Sequence, residues 1–425
     1  MEKLSSNKSF DFSIFFSVVT LWIIGIFLVY SATYIHTEGP LAGIFKSQIL
    51  WVIMGIVIIL AILSIPTKVY YSLSYIFYGI SLFLLVYALY NGVVSKGAER
   101  WIPIGGIRLQ PSEFAKLGLL FALAKYLSQK SVSLMNIRSF IMPGLLIVVP
   151  FLLVLKQPDL GTALVFCVMS LPMFFWAGMS LTEIFYTVSP GISIILSAIP
   201  LILSYGSEQV WGIGSAIPWG IFFIIICTAL YFSRPPLFFV ICIITINLFT
   251  ATITTVLWSK FLKDYQKARI ISFINPQADP FGSGYQVIQS KVAIGSGQIF
   301  GKGYLEGTQT RLSYLPEQHT DFIFSVLGEQ FGLVGCVAVI FLFLFFIIRG
   351  ISTTHRVRNK FTNLLIIGAV SIIAFHVFIN IAMVIGIMPV TGLPLPFLSY
   401  GGSFTITVAT LVGLILNAKV SNQDF

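Results

Sequence analysis

Asp321 is the residue of this sequence best suited to act as a general base. It follows His319 and Thr320 and directly precedes the apolar run Phe322-Ile323-Phe324. A carboxylate at an apolar boundary has its charged form disfavoured by loss of solvent, which suits a base that must hold a proton near neutral pH. The alternative is that Asp321 only caps the helix that begins there. The residues alone leave both interpretations open.

Glu113 and Lys116 form a second candidate site. They lie three residues apart after the helix-start signal Pro111-Ser112, so they share one helical face and can pair. An ion pair at the edge of a membrane helix is costly unless it is structural or lines a polar cavity, and these two functions are compatible. The same polar stretch contains three further candidates for ligand binding, of which the tryptophan is also typical of a membrane interface: Trp101, Arg108 and Gln110.

Two more segments place polar groups beside apolar spans. Asp159 follows Gln157-Pro158 and is predicted either to cap the next helix or to contribute to the site. The segment 388–403 contains three prolines and three glycines in a mostly apolar context, which excludes a continuous helix. Broken backbone at membrane depth is tolerated where it is packed in protein or lines a cavity, so this segment and its Ser399 are expected beside the site.

The long segment 259–323 carries seven cations, which are interpreted either as a solvated loop or as a site for an anionic headgroup or phosphate. They are Lys260, Lys263, Lys267, Arg269, Lys291, Lys302 and Arg311.

Composition determines the environment in which these groups must be positioned. Of 425 residues, 57% are hydrophobic and only 9% are charged, whereas a soluble domain carries about 25% charged residues. The four cysteines lie inside apolar runs without ligand spacing, which argues against a disulfide scaffold or a metal cluster. Six carboxylates in tails, short loops or span ends are expected to be solvated: Glu2, Asp11, Glu38, Glu183, Glu208 and Asp424.

The fold class predicted is an all-α polytopic membrane protein with about twelve spans, since about 20 apolar residues cross a bilayer. Lys and Arg in the short loops place both termini in the cytoplasm and the long segment 259–323 outside. The spans run roughly over 12–32, 47–65, 71–90, 112–128, 140–155, 160–178, 181–204, 209–231, 236–258, 324–347, 361–388 and 402–418.

Together the polar clusters resemble the SEDS family, the polytopic enzymes that polymerise peptidoglycan strands from lipid II. The matching stretches keep the family's order along the chain. The turn 307–309 and the stretch 264–266 are more similar to the elongation branch, RodA, than to the division branch, FtsW. The clearest matches are GAERW (97–101), LQPSEFAKL (109–117), QPDLGTA (157–163), LPEQHTDFIFSVLGEQFG (315–332) and GLPLPFLSYGGS (392–403).

The resemblance implies a function for several of these residues. Asp321 matches the family's essential aspartate. Trp101 matches the tryptophan of the family's GAERW stretch, and Glu113 and Lys116 match the glutamate and lysine of its PSEFAK stretch. The expected activity is glycosyl transfer with release of undecaprenyl diphosphate in a bacterial cytoplasmic membrane, with the active site facing outward. The further groups expected to bind substrate, including cations for the diphosphate, are Arg108, Gln110, Asp159, Lys263, Arg269, Lys302, Arg311 and Ser399.

Partners and cofactors follow from the same resemblance. A class B penicillin-binding protein, lipid II and membrane lipids are the expected partners, and no nucleic acid is expected. A divalent cation, Mg²⁺ or Mn²⁺, could assist the diphosphate with Asp321 as one ligand, and no organic cofactor is expected. The family usually has ten spans, so 181–258 is predicted to contain two additional helices. A lipid II flippase, a division-type polymerase and a non-catalytic scaffold remain the alternatives.

Overall fold

Each of the twelve predicted spans overlaps a helix of the computed structural model, and the part of the span 209–231 that precedes residue 216 lies outside the described residues. The structure describes residues 10–34, 43–95, 98–105, 107–129, 137–203, 216–262, 264–280, 282 and 284–420. The helices that match the predicted spans are α1 (Phe12–Thr33), α2 (Ile44–Leu63), α3 (Thr67–Asn91), α4 (Pro111–Gln129), α5 (Ile137–Lys156), α6 (Leu160–Trp176), α7 (Leu181–Leu203), α8 (Ile217–Ser233), α9 (Leu237–Val256), α13 (Ile323–Thr354), α14 (Lys360–Val384) and α15 (Gly402–Val420).

Within the described part of the chain, eight of these helices are long and apolar enough to cross a membrane, and α6, α8 and α15 are shorter apolar helices. The predicted all-α polytopic class is therefore confirmed. Pro190 and Pro200 lie inside a continuous α7, while Pro218 lies in the first turn of α8, where a missing N–H costs nothing. The long segment between α9 and α13 contains three short helices: α10 (Asp264–Ile274), α11 (Tyr285–Gly297) and α12 (Thr308–Arg311).

A small antiparallel sheet between α3 and α4 was not predicted. It contains β1 (Val93–Ser95), β2 (Ala98–Ile104) and β3 (Ile107–Leu109), in the order β1-β2-β3. Val93 pairs with Trp101, and Ile102 pairs with Leu109. The sheet therefore carries Trp101 on its central strand and delivers the chain to the start of α4.

The chain divides into two compact units. Unit 1 contains Met1–Lys130, Met142–Trp176 and Gln286–Phe425, and unit 2 contains Ser131–Ile141 and Ala177–Tyr285. At the centre of unit 1, α14 packs against α4, α6, α13 and α15. Most of its residues are buried, so α14 lies at the centre of unit 1.

Unit 2 is built around α7, α8 and α9. Along the α7–α9 contact, small polar side chains form a buried ladder: Ser193 donates to Asn247 (2.7 Å), Asn247 donates to Ser189 (3.1 Å), and Ser197 lies 2.8 Å from Thr254. Small residues that hydrogen-bond across the contact are a usual way for membrane helices to associate. Whether two helices of 181–258 are additional to the family's core stays a prediction.

Two of the carboxylates expected to be solvated are buried, so that prediction was wrong for them. Asp11 caps α1, and its Oδ2 accepts a hydrogen bond from Nε of Arg349 at 3.1 Å. Asp11 is only 3% exposed. Glu183 accepts from the main-chain N–H and the hydroxyl of Ser180, which forms a capping box at the start of α7. Both use the N-terminus of a helix to satisfy their charge. The other four lie outside the described residues: Glu2, Glu38, Glu208 and Asp424.

Candidate active site

Asp321 is half-buried in the turn that enters α13, and its main chain is fixed from the centre of unit 1. The Asn380 side chain on α14 donates to the main-chain oxygens of both Asp321 and Leu393, at 2.8 Å each. The N-cap position of α13 belongs to Phe322 rather than to Asp321. The Asp321 carboxylate therefore stands on a backbone that is held independently of its side chain.

The segment between α14 and α15 is non-helical, as its prolines and glycines predicted. Ser399 donates to the Thr320 main-chain oxygen (2.6 Å) and accepts from the Leu395 N–H (2.8 Å). Tyr400 donates its N–H to the His319 oxygen at 3.0 Å. The segment thus clamps residues 319–321. Because the buried Ser399 hydroxyl is committed to this clamp, the contacts give it a positioning function, and its predicted substrate contact stays a prediction.

Gly392 brings the same segment close to the Asp321 carboxylate. A Cβ built at Gly392 would lie 3.6 Å from Oδ2 of Asp321, and the φ of Gly392 is +73°, which side-chain-bearing residues rarely adopt. The glycine leaves open space beside the carboxylate that a larger residue would fill. Access of a substrate hydroxyl to Asp321 is therefore compatible with this backbone.

Asp159 caps α6, as one of its two predicted functions requires. Its Oδ1 accepts from the Thr162 N–H at 3.1 Å, and the residue is 7% exposed. A carboxylate at a helix N-terminus is favoured by both the free N–H groups and the helix dipole. A contribution of Asp159 to substrate binding stays a prediction.

Glu113 and Lys116 form the predicted ion pair, and both are buried. Nζ of Lys116 lies 2.8 Å from Oε1 of Glu113, and their side chains are 0% and 4% exposed, respectively. The same ammonium lies 3.2 Å from Nε2 of His376 on α14 and 5.5 Å from the centre of the Phe404 ring on α15. Oε2 of Glu113 is buried and has no hydrogen-bond partner among the described residues. This oxygen can still accept one bond.

The polar residues that precede this ion pair in the sequence connect the small sheet to α15. The Ser403 hydroxyl accepts from the Gln110 N–H (3.1 Å) and donates to the Arg108 main-chain oxygen (3.3 Å). Trp101 and Gln110 are half-buried and Arg108 is exposed. The connection fixes where α4 begins and hence where Glu113 stands.

Three of the four predicted phosphate-binding cations lie in the part of the chain that the structure describes. Lys302 is paired with Glu329, Arg311 is exposed at the end of α12, and Lys263 lies outside the described residues. Arg269 lies on α10 in unit 2, where only its backbone is described. Exposure leaves the Arg311 guanidinium accessible to an anion. The diphosphate contacts of all four cations stay predictions.

Glu329 is a buried carboxylate that sequence reasoning did not single out. It accepts from the main-chain N–H groups of Gln309 (2.8 Å) and Thr310 (3.0 Å), from the Thr310 hydroxyl (2.7 Å) and from Lys302 (3.0 Å). The Thr308 hydroxyl also donates to it at 3.3 Å, and with 0% side-chain exposure its charge depends on such protein donors rather than on water. Glu329 therefore holds the 302–310 segment on the first part of α13, the part that begins beside Asp321.

The backbone of α13 is interrupted beside Glu329. Gly332 has φ of 61° and ψ of −160°, values open to glycine and not to a helix. The preceding 298–303 segment fills the break with four main-chain hydrogen bonds: Lys302 N to Glu329 O (3.0 Å), Gly303 N to Gln330 O (3.1 Å), Leu333 N to Gln298 O (2.9 Å) and Val334 N to Ile299 O (3.1 Å).

Helix α1 anchors the same region. The Tyr304 hydroxyl donates to the Phe27 oxygen at 3.1 Å, and Gln318 donates to the Ala32 oxygen at 2.8 Å. Burial, with a smaller contribution from Tyr30, raises the pKa of Tyr304 above its usual value, so the phenol remains a donor. The segment that leads to Asp321 is thus fixed to both α1 and α13.

Removal of the Glu329 carboxylate should weaken the attachment of the 302–310 segment to α13. We expect Glu329→Ala to lower the free energy of unfolding by about 3 kcal/mol, because it leaves Lys302 and two N–H groups without their acceptor. Thermal or denaturant unfolding in one detergent measures the change. Glu306→Ala, an exposed carboxylate of the same segment, is the matched control and should stay within about 0.5 kcal/mol of wild type. Equal effects of the two substitutions would contradict the anchoring function.

A protein-built metal site is not supported by the part of the chain that the structure describes. No three His, Cys, Asp or Glu side chains converge there in an arrangement that could hold an ion. The participation of a divalent cation with Asp321 as one ligand stays a prediction.

Comparison with known proteins agrees with this architecture. The family model described as "Cell cycle protein", covering FtsW, RodA and SpoVE, matches residues 12–211 and 213–424. The peptidoglycan glycosyltransferase MrdB of Escherichia coli K12 is 34% identical over 97% of this chain and 95% of its own. The peptidoglycan glycosyltransferase RodA of Treponema pallidum is 33% identical over 98% of both chains, and stage V sporulation protein E of Bacillus subtilis is 32% identical over 95% of both.

Solved structures show the same fold. A chain of a peptidoglycan synthase complex that coordinates polymerization and crosslinking is similar with a TM-score of 0.71, at 25% identity, over 98% of this chain and 99% of that one. The rod shape-determining protein RodA of Thermus thermophilus matches with a TM-score of 0.62, at 23% identity and the same coverage. With nearly its whole length matched by the family model and by relatives above 30% identity, this chain belongs to the FtsW/RodA/SpoVE family.

Proposed function

We propose that this chain is a peptidoglycan glycosyltransferase that polymerises lipid II during cell elongation, with Asp321 as the general base. The observation that carries the proposal is the placement of Asp321: a half-buried carboxylate on a backbone held by Asn380 and Ser399, with open space at Gly392. The names of two similar relatives, MrdB and RodA, support the elongation branch.

In this proposal the reaction is a single displacement at the anomeric carbon of the donor. Asp321 takes the proton of the acceptor hydroxyl as its oxygen bonds to that carbon, and the bond from the carbon to the diphosphate oxygen breaks. Undecaprenyl diphosphate leaves with the bonding electron pair. In this proposal the exposed guanidinium of Arg311 is available to stabilise this departing charge. Attack from the face opposite the leaving group inverts the configuration.

Purified chain with labelled lipid II tests the activity. Glycan ladders on a gel support the polymerase. Transfer of lipid II across a vesicle membrane without ladders would favour the flippase alternative, for which the buried Glu113–Lys116 pair in α4 is the one supporting observation. If neither glycan ladders nor transferred lipid II is observed, the non-catalytic scaffold is the remaining alternative.

The proposed topology places the chain in the bacterial cytoplasmic membrane with both termini inside. We expect a cysteine introduced at the exposed Arg311 to react with a membrane-impermeant thiol reagent in intact cells, and one at the exposed Arg358 to react only after lysis. The parent chain, with its four native cysteines, gives the background labelling. The reverse pattern would invert the topology and exclude an outward-facing Asp321.

A class B penicillin-binding protein is the proposed partner for crosslinking. The similar synthase complex couples polymerization and crosslinking, and a membrane helix of the transpeptidase would pack on an exposed span of this chain. We expect the two proteins to co-purify from native membranes and the transpeptidase to raise polymerase activity. Full activity of the isolated chain, unchanged by any transpeptidase, would contradict the partnership.

A further inference from the structure

His376 is a buried polar residue that the proposed reaction does not yet use. It lies on α14 with 0% exposure, and its ring centre is 5.1 Å from that of Phe404. Its Nε2 is 3.2 Å from Nζ of Lys116, although the two residues are 260 positions apart in the chain. The imidazole therefore reaches the Glu113–Lys116 pair from the central helix of unit 1.

The hydrogen-bond partners of His376 determine which nitrogen carries the proton. Nδ1 lies 2.8 Å from the Ile372 main-chain oxygen, which only accepts, so Nδ1 is the donor. The charged Lys116 has three N–H groups and no acceptor, so Nε2 accepts from it. The ring is neutral, and the Lys116 ammonium is shared between His376 and Oε1 of Glu113 at 2.8 Å. The charges of the three side chains sum to zero.

We propose that His376 is a positioning residue for polymerisation, an inference that rests on the proposed function. Its Nε2 gives the buried Lys116 ammonium a second partner and so fixes the Glu113 carboxylate, leaving Oε2 of Glu113 free to accept a hydrogen bond. Asn380, four residues further along α14 and on the same helical face, holds the main chain of Asp321. One face of α14 thus sets both the ion pair and the base.

Two substitutions separate this function from packing and from proton transfer. His376→Gln keeps an acceptor at about the position of Nε2 and cannot titrate. His376→Phe keeps an aromatic ring but removes both the Nε2 acceptor and the Nδ1 donor to the Ile372 oxygen. We expect His376→Phe to lower kcat for lipid II polymerisation by about 10- to 100-fold, the range lost with a hydrogen bond to a charged group, and to change KM less. His376→Gln should stay within about threefold of wild type, with an unchanged pH profile.

A thermal cycle tests the contact itself without substrate. His376→Phe should lower Tm by at least about 2 °C in the wild-type background. In the neutral Glu113→Gln/Lys116→Met background, where no ammonium needs the acceptor, the same change should lower Tm clearly less, because only the Nδ1 bond to the Ile372 oxygen is lost. Equal Tm losses in both backgrounds would overturn the link between His376 and Lys116.

The kinetic measurements test whether the contact between His376 and Lys116 contributes to polymerisation. If His376→Phe has the same kcat as His376→Gln, His376 serves only in packing. If His376→Gln is as inactive as His376→Phe, the imidazole ring must titrate. Either result overturns the positioning function. A wild-type chain that makes no glycan would overturn the proposed function, and the thermal cycle would still decide the His376–Lys116 link.

Discussion

Asp321→Asn is expected to slow lipid II polymerisation by about 10²–10⁴-fold, the range that general-base catalysis contributes. Asparagine is nearly isosteric with aspartate but cannot take the proton of the acceptor hydroxyl. The bond from Asn380 to the Asp321 main chain does not involve the substituted side chain, so folding and lipid II binding should be largely retained. The measurement is the polymerisation rate at matched protein levels, with thermal unfolding recorded in the same detergent.

Asp279→Asn is the matched control. Asp279 is exposed, and its Oδ1 accepts from the Gly282 N–H at 3.0 Å, a turn contact that an asparagine carbonyl can also make. This variant should keep appreciable activity. A near wild-type rate for Asp321→Asn would refute the base assignment and direct attention to Glu113 and Asp159.

The helices could be predicted because each depends on a local property. A run of about 20 apolar residues identifies a span without knowledge of its neighbours, and α13 and α14 begin within a residue of their predicted starts. The sheet could not be predicted in the same way. Strands as short as Val93–Ser95 and Ile107–Leu109 are defined by their pairing with β2, and the polar, glycine-rich sequence between them looks like a loop.

The ion pair was predictable for a similar reason. Glu113 and Lys116 are three residues apart, so helix geometry alone brings them together. His376 and Asn380 were missed because their partners are distant in sequence: Lys116 is 260 residues from His376, and Asp321 is 59 residues from Asn380. The available signal was their four-residue spacing inside an otherwise apolar span, where a polar group must find a partner.

Charge by itself does not identify the partner that a residue finds in the fold. Lys302 is predicted to contact the diphosphate, which stays a prediction, and in the structure its ammonium also lies 3.0 Å from the buried Glu329. Asp11 was expected in water, and it pairs with Arg349, 338 residues away. A buried charge is stable only with compensation, and sequence does not reveal which distant residue supplies it.

The largest expected effect on stability is that of Lys116→Met. The substitution leaves the Glu113 carboxylate buried without its cation, and breaking a buried pair on one side typically costs about 3–5 kcal/mol. Methionine has nearly the length of lysine, so little of this loss would come from a cavity. Denaturant unfolding in a fixed detergent should therefore show a large fall in the free energy of unfolding.

The neutral pair Glu113→Gln/Lys116→Met should recover most of that loss, because replacing both charges removes the uncompensated one. A double variant as unstable as Lys116→Met would show that shape, rather than charge, limits the site. The recovered protein also separates the two functions left open for the pair. If the pair were only structural, the double variant would polymerise normally. Since Oε2 of Glu113 is buried and unpartnered among the described residues, we expect it to serve the substrate, and the double variant to fold but lose activity by about tenfold or more.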